Sequence, residues 1–277
     1  MKRNIRAFSR NHTAVAALIV LLAVILFCII YPFVSPHDMT KLHVEEKLAR
    51  PSAEHLLGSD ELGRDLLTRM AEGGRITLSV AFFSALIAAL CGSVIGILCG
   101  FAGGRTDRLV MRVMDAVSSV PSLLLAIVFD YMLGMGRGRF LYGIAIAGIP
   151  PFARLVRAGV LEISGSAYVE ASRALGASPA FVIREHVMRN ILPLISIQAA
   201  TAVADGLTTC TILGYIGVGI NPPTPEWGAI FDRSRHYMRT YPHMSLAPAA
   251  AIVICIICLY LVGNGIRDSF SISGGDE

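Results

Sequence analysis

Long apolar runs separated by short polar segments pattern this chain. A helix rises about 1.5 Å per residue, so roughly 20 apolar residues cross the hydrocarbon core of a bilayer. Six segments fit, at about residues 13–34, 76–101, 111–134, 140–158, 192–216 and 244–265. The fourth is the weakest, because its apolar part is short and Pro150 and Pro151 fall inside it; a broken or kinked span is predicted there. The expected fold class is all-α, a polytopic membrane bundle of about six transmembrane helices. Residues 1–75 are expected to hold an N-terminal cytoplasmic segment, the first span and an amphipathic segment, and residues 76–270 the main transmembrane domain.

Three polar stretches interrupt the apolar pattern. Between Glu61 and Ile76, Leu62, Leu66, Leu67 and Met70 recur at helical intervals against Arg64, Asp65, Arg69 and Glu72, which predicts an amphipathic helix at the membrane interface or packed on the bundle. In residues 162–190, Ser166 is placed to cap a short helix from Ala167 to Leu175 that Gly176 stops, and Ser178 and Pro179 then restart a helix. One side of that short helix carries Tyr168, Ala171, Ala174 and Leu175, a mixed face suited to a groove on a partner. The third stretch, about 219–243, contains Asn221, Pro222, Pro223, Thr224, Pro225, Glu226 and Trp227; its prolines predict an extended ordered loop with Trp227 as an interfacial anchor.

Composition strengthens the membrane reading. With 54% hydrophobic and 16% charged residues in 277, the chain carries more apolar surface than a soluble core of this size buries. The net charge of +4 is modest and the basic residues flank the apolar runs, so no nucleic-acid partner is implied. The first run follows a basic head (Lys2, Arg3, Arg6, Arg10) and is long for a signal peptide, so a retained anchor with a cytoplasmic N-terminus is expected; six spans return the C-terminus to the same side. The cysteines fall in or beside the spans, where thiols pack as small hydrophobes, and the Cys255/Cys258 spacing is read the same way.

Enzymatic signatures are missing. The three lysines (Lys2, Lys41, Lys47) follow no glycine, so no phosphate-cradling Gly-Lys-Ser/Thr loop exists, and the sequence holds no HExxH pair and no GxSxG elbow. No metal site is expected.

Glu170-Ala171-Ser172 followed by Gly176 resembles the "EAA" loop of binding-protein-dependent ABC importer permeases. The segments at 55–70 (HLLGSDELGRDLLTRM), 150–161 (PPFARLVRAGVL), 168–178 (YVEASRALGAS), 222–230 (PPTPEWGAI) and 263–268 (GNGIRD) are similar to the signature blocks of the second permease of dipeptide, oligopeptide and nickel importers. The resemblance implies a multi-pass protein of the inner membrane with both termini cytoplasmic, and a pathway for peptides, with nickel or a metal chelate as the alternative cargo. It implies as partners a homologous second permease, two cytoplasmic ATPase subunits that use ATP and Mg, an extracytoplasmic substrate-binding protein and the lipid membrane, with no cofactor on this chain. A non-transporting scaffold or a membrane enzyme is the competing class.

The resemblance makes Glu170, Ala171 and Gly176 the matching ATPase-coupling positions, with Ser172 replacing an alanine and Tyr168 and Leu175 completing the helix face. Downstream, Val187, Met188 and Arg189 stand where Ile-Leu-Pro is usual, while Asn190, Leu192 and Pro193 keep their places. In the fifth span Cys210 stands where relatives often have a glutamate, and Asp205 lies about one turn earlier. Asp130, Asp205 and Cys210 are therefore candidates for the translocation pathway, since ionisable groups inside a bundle face other helices or water. Solvation at the interface is the competing reading for Asp130, and an interhelical hydrogen bond for Asp205.

Overall fold

The computed structural model describes residues 7–39, 41–133, 140–220 and 223–274. Lys2, Arg3 and Arg6 of the basic head, with Asn221 and Pro222, lie outside the described residues. The principal helices are α1 (His12–Val34), α2 (Leu66–Ala102), α3 (Gly104–Ser118), α4 (Ser122–Met132), α5 (Phe140–Ser164), α6 (Ala167–Ala174), α7 (Pro179–Val182), α8 (Met188–Tyr215), α9 (Trp227–Ser234) and α10 (Pro242–Gly274). Among the described residues, five helices are long and apolar enough to cross a membrane, and the bent pair α3–α4 makes a sixth if it counts as one span.

That pair corrects the expected position of the break. The sharp break falls in the region of the third predicted span: α3 and α4 meet at 91° around Ser119–Pro121, while α5 runs unbroken through Pro150 and Pro151. Pro121 sits at the start of α4, and the residue before a proline is pushed out of helical geometry, which ends α3. In α5, packing against α2 holds the helix through its prolines. Small residues allow this contact: a Cβ on Gly92 would lie 2.5 Å from Phe152 Cβ, one on Gly96 2.6 Å from the Ala153 carbonyl oxygen, and one on Gly100 2.8 Å from Val160 Cβ.

Helix α2 also begins ten residues earlier than the apolar run suggests. Asp65 caps it by accepting from the Thr68 N–H at 2.8 Å. No separate interfacial helix forms over 61–76, because the charged side chains pair with one another. Arg64 reaches Asp60 at 2.6 Å and Arg69 reaches the same carboxylate at 3.2 Å, all three buried. Beside them His55 is buried between Asp65 (2.9 Å) and Glu46 (3.3 Å). Burial pulls the His55 pKa down, but the hydrogen bonds to Asp65 and Glu46 outweigh it and hold it above the ordinary value.

The largest core cluster joins α1, α2, α8, α9 and α10 through Leu21, Met70, Leu207, Trp227, Cys255 and Leu259. A second cluster of Val156, Val160, Val169, Val182, Val187 and Ile191 closes the other end of the bundle, where α6 sits. The contacts of α2 with Trp227 at Gly74 and with Val160 at Gly100 place the two ends roughly 40 Å apart along one helix.

Candidate functional site

Helix α6 has one fully buried anchor and lighter contacts around it, with the Tyr168 ring edge-on to His186 at 5.5 Å and Arg173 over the Phe101 ring at 5.3 Å. Val169 is fully buried in the valine cluster, while Glu170 and Ala171 are exposed and Ser172 is half-buried. Leu175 is 90% exposed and points away from the protein that carries it, while Tyr168, 50% exposed, keeps its other side on His186 and Asn190. The stop is a hydrogen-bonded C-cap: the Gly176 N–H donates to the Arg173 carbonyl (2.9 Å) and the Ala177 N–H to the Ser172 carbonyl (3.1 Å), with Gly176 at φ +88°. The start differs from expectation. Ser166 occupies the cap position, but its hydroxyl donates back to the Ile163 carbonyl at 2.6 Å and does not cap α6. The helix also ends at Ala174, which makes Leu175 the capping residue. Ser178 does cap α7, accepting from the Phe181 N–H at 3.3 Å, with Pro179 as first residue. At Val187-Met188, where the sequence departs from the resembled pattern, a π-helical turn (Ile183–Val187) passes into α8.

Helix α8 separates the pathway candidates. Asp205 is exposed on a cavity of about 370 Å³ between α2, α4, α5 and α8, and the Tyr260 hydroxyl donates to its Oδ1 at 3.1 Å. Cys210 points the other way and is fully buried. Asp130 lies half-buried near the end of α4, apart from that cavity.

A carboxylate does stand beside Cys210, and it comes from a residue that sequence reasoning passed over. The segment before α9 turns back into the bundle, so Trp227 is buried against α2 and is not an interfacial anchor. Glu226 enters with it, wholly buried, and accepts from the N–H groups of Gly228 (2.9 Å) and Ala229 (3.0 Å), from the Thr77 hydroxyl (3.2 Å) and from the Cys210 thiol (3.9 Å). Burial raises its pKa to about 7, and these four donors oppose the rise. A Cβ at Gly214 would collide with the same carboxylate, so glycine there makes its room. At the same end His37, His55 and Asp65 bring three potential ligand atoms within 4.8 Å of one another, a grouping that HExxH spacing does not reveal.

A bundle of five or six candidate spans with a short, apolar-faced helix at one end is the architecture of a polytopic membrane protein, and the comparisons with known proteins say which kind. Residues 92–271 match the family described as "binding-protein-dependent transport system inner membrane component", and residues 1–51 match the N-terminal transmembrane domain of oligopeptide transport permease C. The chain belongs to this family of inner-membrane transport permeases. It is 34% identical to a glutathione transport system permease protein of Pectobacterium atrosepticum, covering 95% of this chain and 88% of that protein. It is 32% identical to a dipeptide transport system permease protein of Alkalihalophilus pseudofirmus (95% and 87%), and 33% identical to a di/tripeptide transport system permease protein of Pseudomonas aeruginosa (95% and 89%). Among solved structures, a chain of the inward-facing methionine ABC transporter shares the fold, with a TM-score of 0.60 at 20% identity over 72% of this chain and 95% of that chain.

Proposed function

We propose that this chain is one of two permease subunits of an ATP-driven peptide importer. Its relatives carry dipeptides, tripeptides or glutathione by name, which favours peptides over nickel. In this reading the chain catalyses no covalent chemistry: partner ATPase subunits hydrolyse ATP, a second permease completes the pathway, and a binding protein delivers cargo at the end where Glu226 and Trp227 lie. Both termini and α6 then face the cytoplasm.

The observation that carries the reading is α6 itself. A helix with one fully buried residue, Val169, and with Leu175 90% exposed and Tyr168 50% exposed at the end of a membrane bundle, presents an apolar knob suited to a partner's groove. Glu170 and Ala171 form the exposed turn between those two residues. Closure of the ATPases then moves α6 and, through the valine cluster, the ends of α5 and α8. Transport follows because the nucleotide-bound partner has unequal affinity for two arrangements of the bundle.

Replacing Ala171 with Asp sets an unpaired charge in the docking face, an imbalance that costs about 2–5 kcal/mol in buried interfaces. The variant is expected to insert and to pair with the second permease, but to lose co-purifying ATPases and peptide uptake in reconstituted vesicles. Normal ATPase retention and uptake would reduce α6 to an ordinary loop element.

A further inference from the structure

We propose that the cavity beside Asp205 is a cation-selective subsite for cargo, in which the Asp205 carboxylate receives a protonated amine. The inference rests on the peptide-importer reading and adds to it the chemistry that the pathway recognises.

The walls of the cavity are polar only where they carry hydroxyls, an amide and one carboxylate: Ser84, Ser122, Gln198, Thr208, Thr209 and Asp205. Among the described residues lining it there is no lysine, arginine or histidine, so the charge of Asp205 is not neutralised from within. The remaining walls are apolar or bare backbone, including Ala85, Ile144, Gly148 and Phe152. A carboxylate against apolar walls attracts a cation more strongly than one in open water, because the local dielectric is lower.

Asp205 is also positioned. Tyr260 on α10 donates to Oδ1 at 3.1 Å, which fixes the side chain from behind and leaves Oδ2 for a second donor. The small residues Ala85, Ala88, Ala147, Gly148, Ala202 and Gly206 keep the space open at about 370 Å³, within the range of small-molecule pockets. Hydroxyls flanking a carboxylate suit an ammonium, which offers three donors and needs no matching acceptor plane. Two sources supply that group: the α-ammonium common to peptides, or a lysine side chain.

The test uses the complete transporter, reconstituted with its binding protein, and compares wild type with Asp205→Asn. Uptake below saturation is measured for a neutral-side-chain dipeptide with a free N-terminus, for its N-acetylated form, and for a lysine-containing and an isosteric norleucine-containing peptide. The binding protein has its own preference, but it is common to both transporters and cancels when their selectivity ratios are divided. Selectivity for the free amine over the acetylated peptide is expected to fall by at least about tenfold in Asp205→Asn, a change of about 1.4 kcal/mol. Asp205→Glu should restore much of it. A fall seen only for lysine over norleucine supports the subsite and assigns it to the side chain. Unchanged ratios for both pairs, with basal ATP hydrolysis and subunit assembly intact, overturn the proposal. If Asp205→Asn fails to assemble, the same ratios measured on Tyr260→Phe, which frees the carboxylate from its tether, decide: no change in either ratio overturns it, and an altered ratio supports it. A wild-type complex that moves no peptide at all refutes the importer reading instead.

Discussion

The indole N–H of Trp227 donates to the main-chain carbonyl of Met70 at 2.8 Å, tying a residue of the re-entering α9 segment to the second turn of α2. The ring is buried and lies directly over Gly74, where a Cβ would come within 2.5 Å of Trp227 Cζ2. One side chain therefore fills the space that a glycine leaves and satisfies a carbonyl on the same helix.

Trp227→Phe is expected to lose about 1 kcal/mol with the hydrogen bond, and Trp227→Ala about 3–5 kcal/mol with the packing. The graded loss should appear as successive drops in the thermal aggregation midpoint of the detergent-solubilised complex. Equal midpoints for the two variants would show that the hydrogen bond lost in both, and not the packing of the ring, holds the segment.

Glu226 should make stability depend on pH. Its pKa is raised from 4.5 to about 7, so the proton-bound form is the one that folding favours. The contribution is complete below pH 4.5 and disappears as pH rises through about 7, on the order of 3 kcal/mol in all. Glu226→Gln removes the charge and keeps an acceptor oxygen for one of the two backbone N–H groups, which reach different oxygens of the carboxylate. Between pH 6 and 8 the wild-type midpoint should fall further than that of Glu226→Gln; parallel profiles would place the titration elsewhere.

The α2–α5 contact predicts a sharp contrast between two glycines. At Gly96 a Cβ meets the backbone of Ala153 and Arg157 at 2.6 and 2.9 Å, atoms that cannot swing aside, whereas at Gly165 the nearest atoms are 3.8 Å away. Gly96→Val should prevent stable accumulation in the membrane, and Gly165→Ala should be neutral. Immunoblots of membrane fractions separate the two, and normal levels of Gly96→Val would mean the helices can part.

How much of this was legible follows from where the partners come from. The spans could be read because lipid-facing residues identify themselves by apolarity alone. The early start of α2 could not, since charges at Arg64 and Arg69 look solvated until Asp60 is seen beside both. Likewise the prolines before Glu226 suggested an extended loop, but the donors that draw its carboxylate inward include Thr77, 149 residues away. The stop at Gly176 was readable because it is purely local: a glycine supplies the positive φ that its own two hydrogen bonds require.

Gly176 gives the fourth prediction. Nothing lies within 4 Å of a Cβ built there, so its replacement costs backbone strain without a clash. Gly176→Ala should cost about 1–2 kcal/mol locally, and Gly176→Val more because branching at Cβ resists positive φ. Assembly with the ATPases should survive in weakened form while uptake per ATP hydrolysed falls, valine more than alanine. Tight coupling in Gly176→Val would show that the exit angle of α6 is not transmitted.

Among the five long helices, α2 is the one that contains no proline. Its 37 residues make a rod about 55 Å long in a bilayer whose hydrocarbon core is about 30 Å thick. Such a rod lacks the proline joint of its neighbours, so it is suited to act as a see-saw. Pivoting by about 5° around its midpoint carries each tip roughly 2.4 Å in opposite directions. One tip is the Asp65 cap beneath the ion-paired loop, and the other abuts the valine cluster that seats α6. A small displacement on one face of the membrane would then reach the other with its sense inverted.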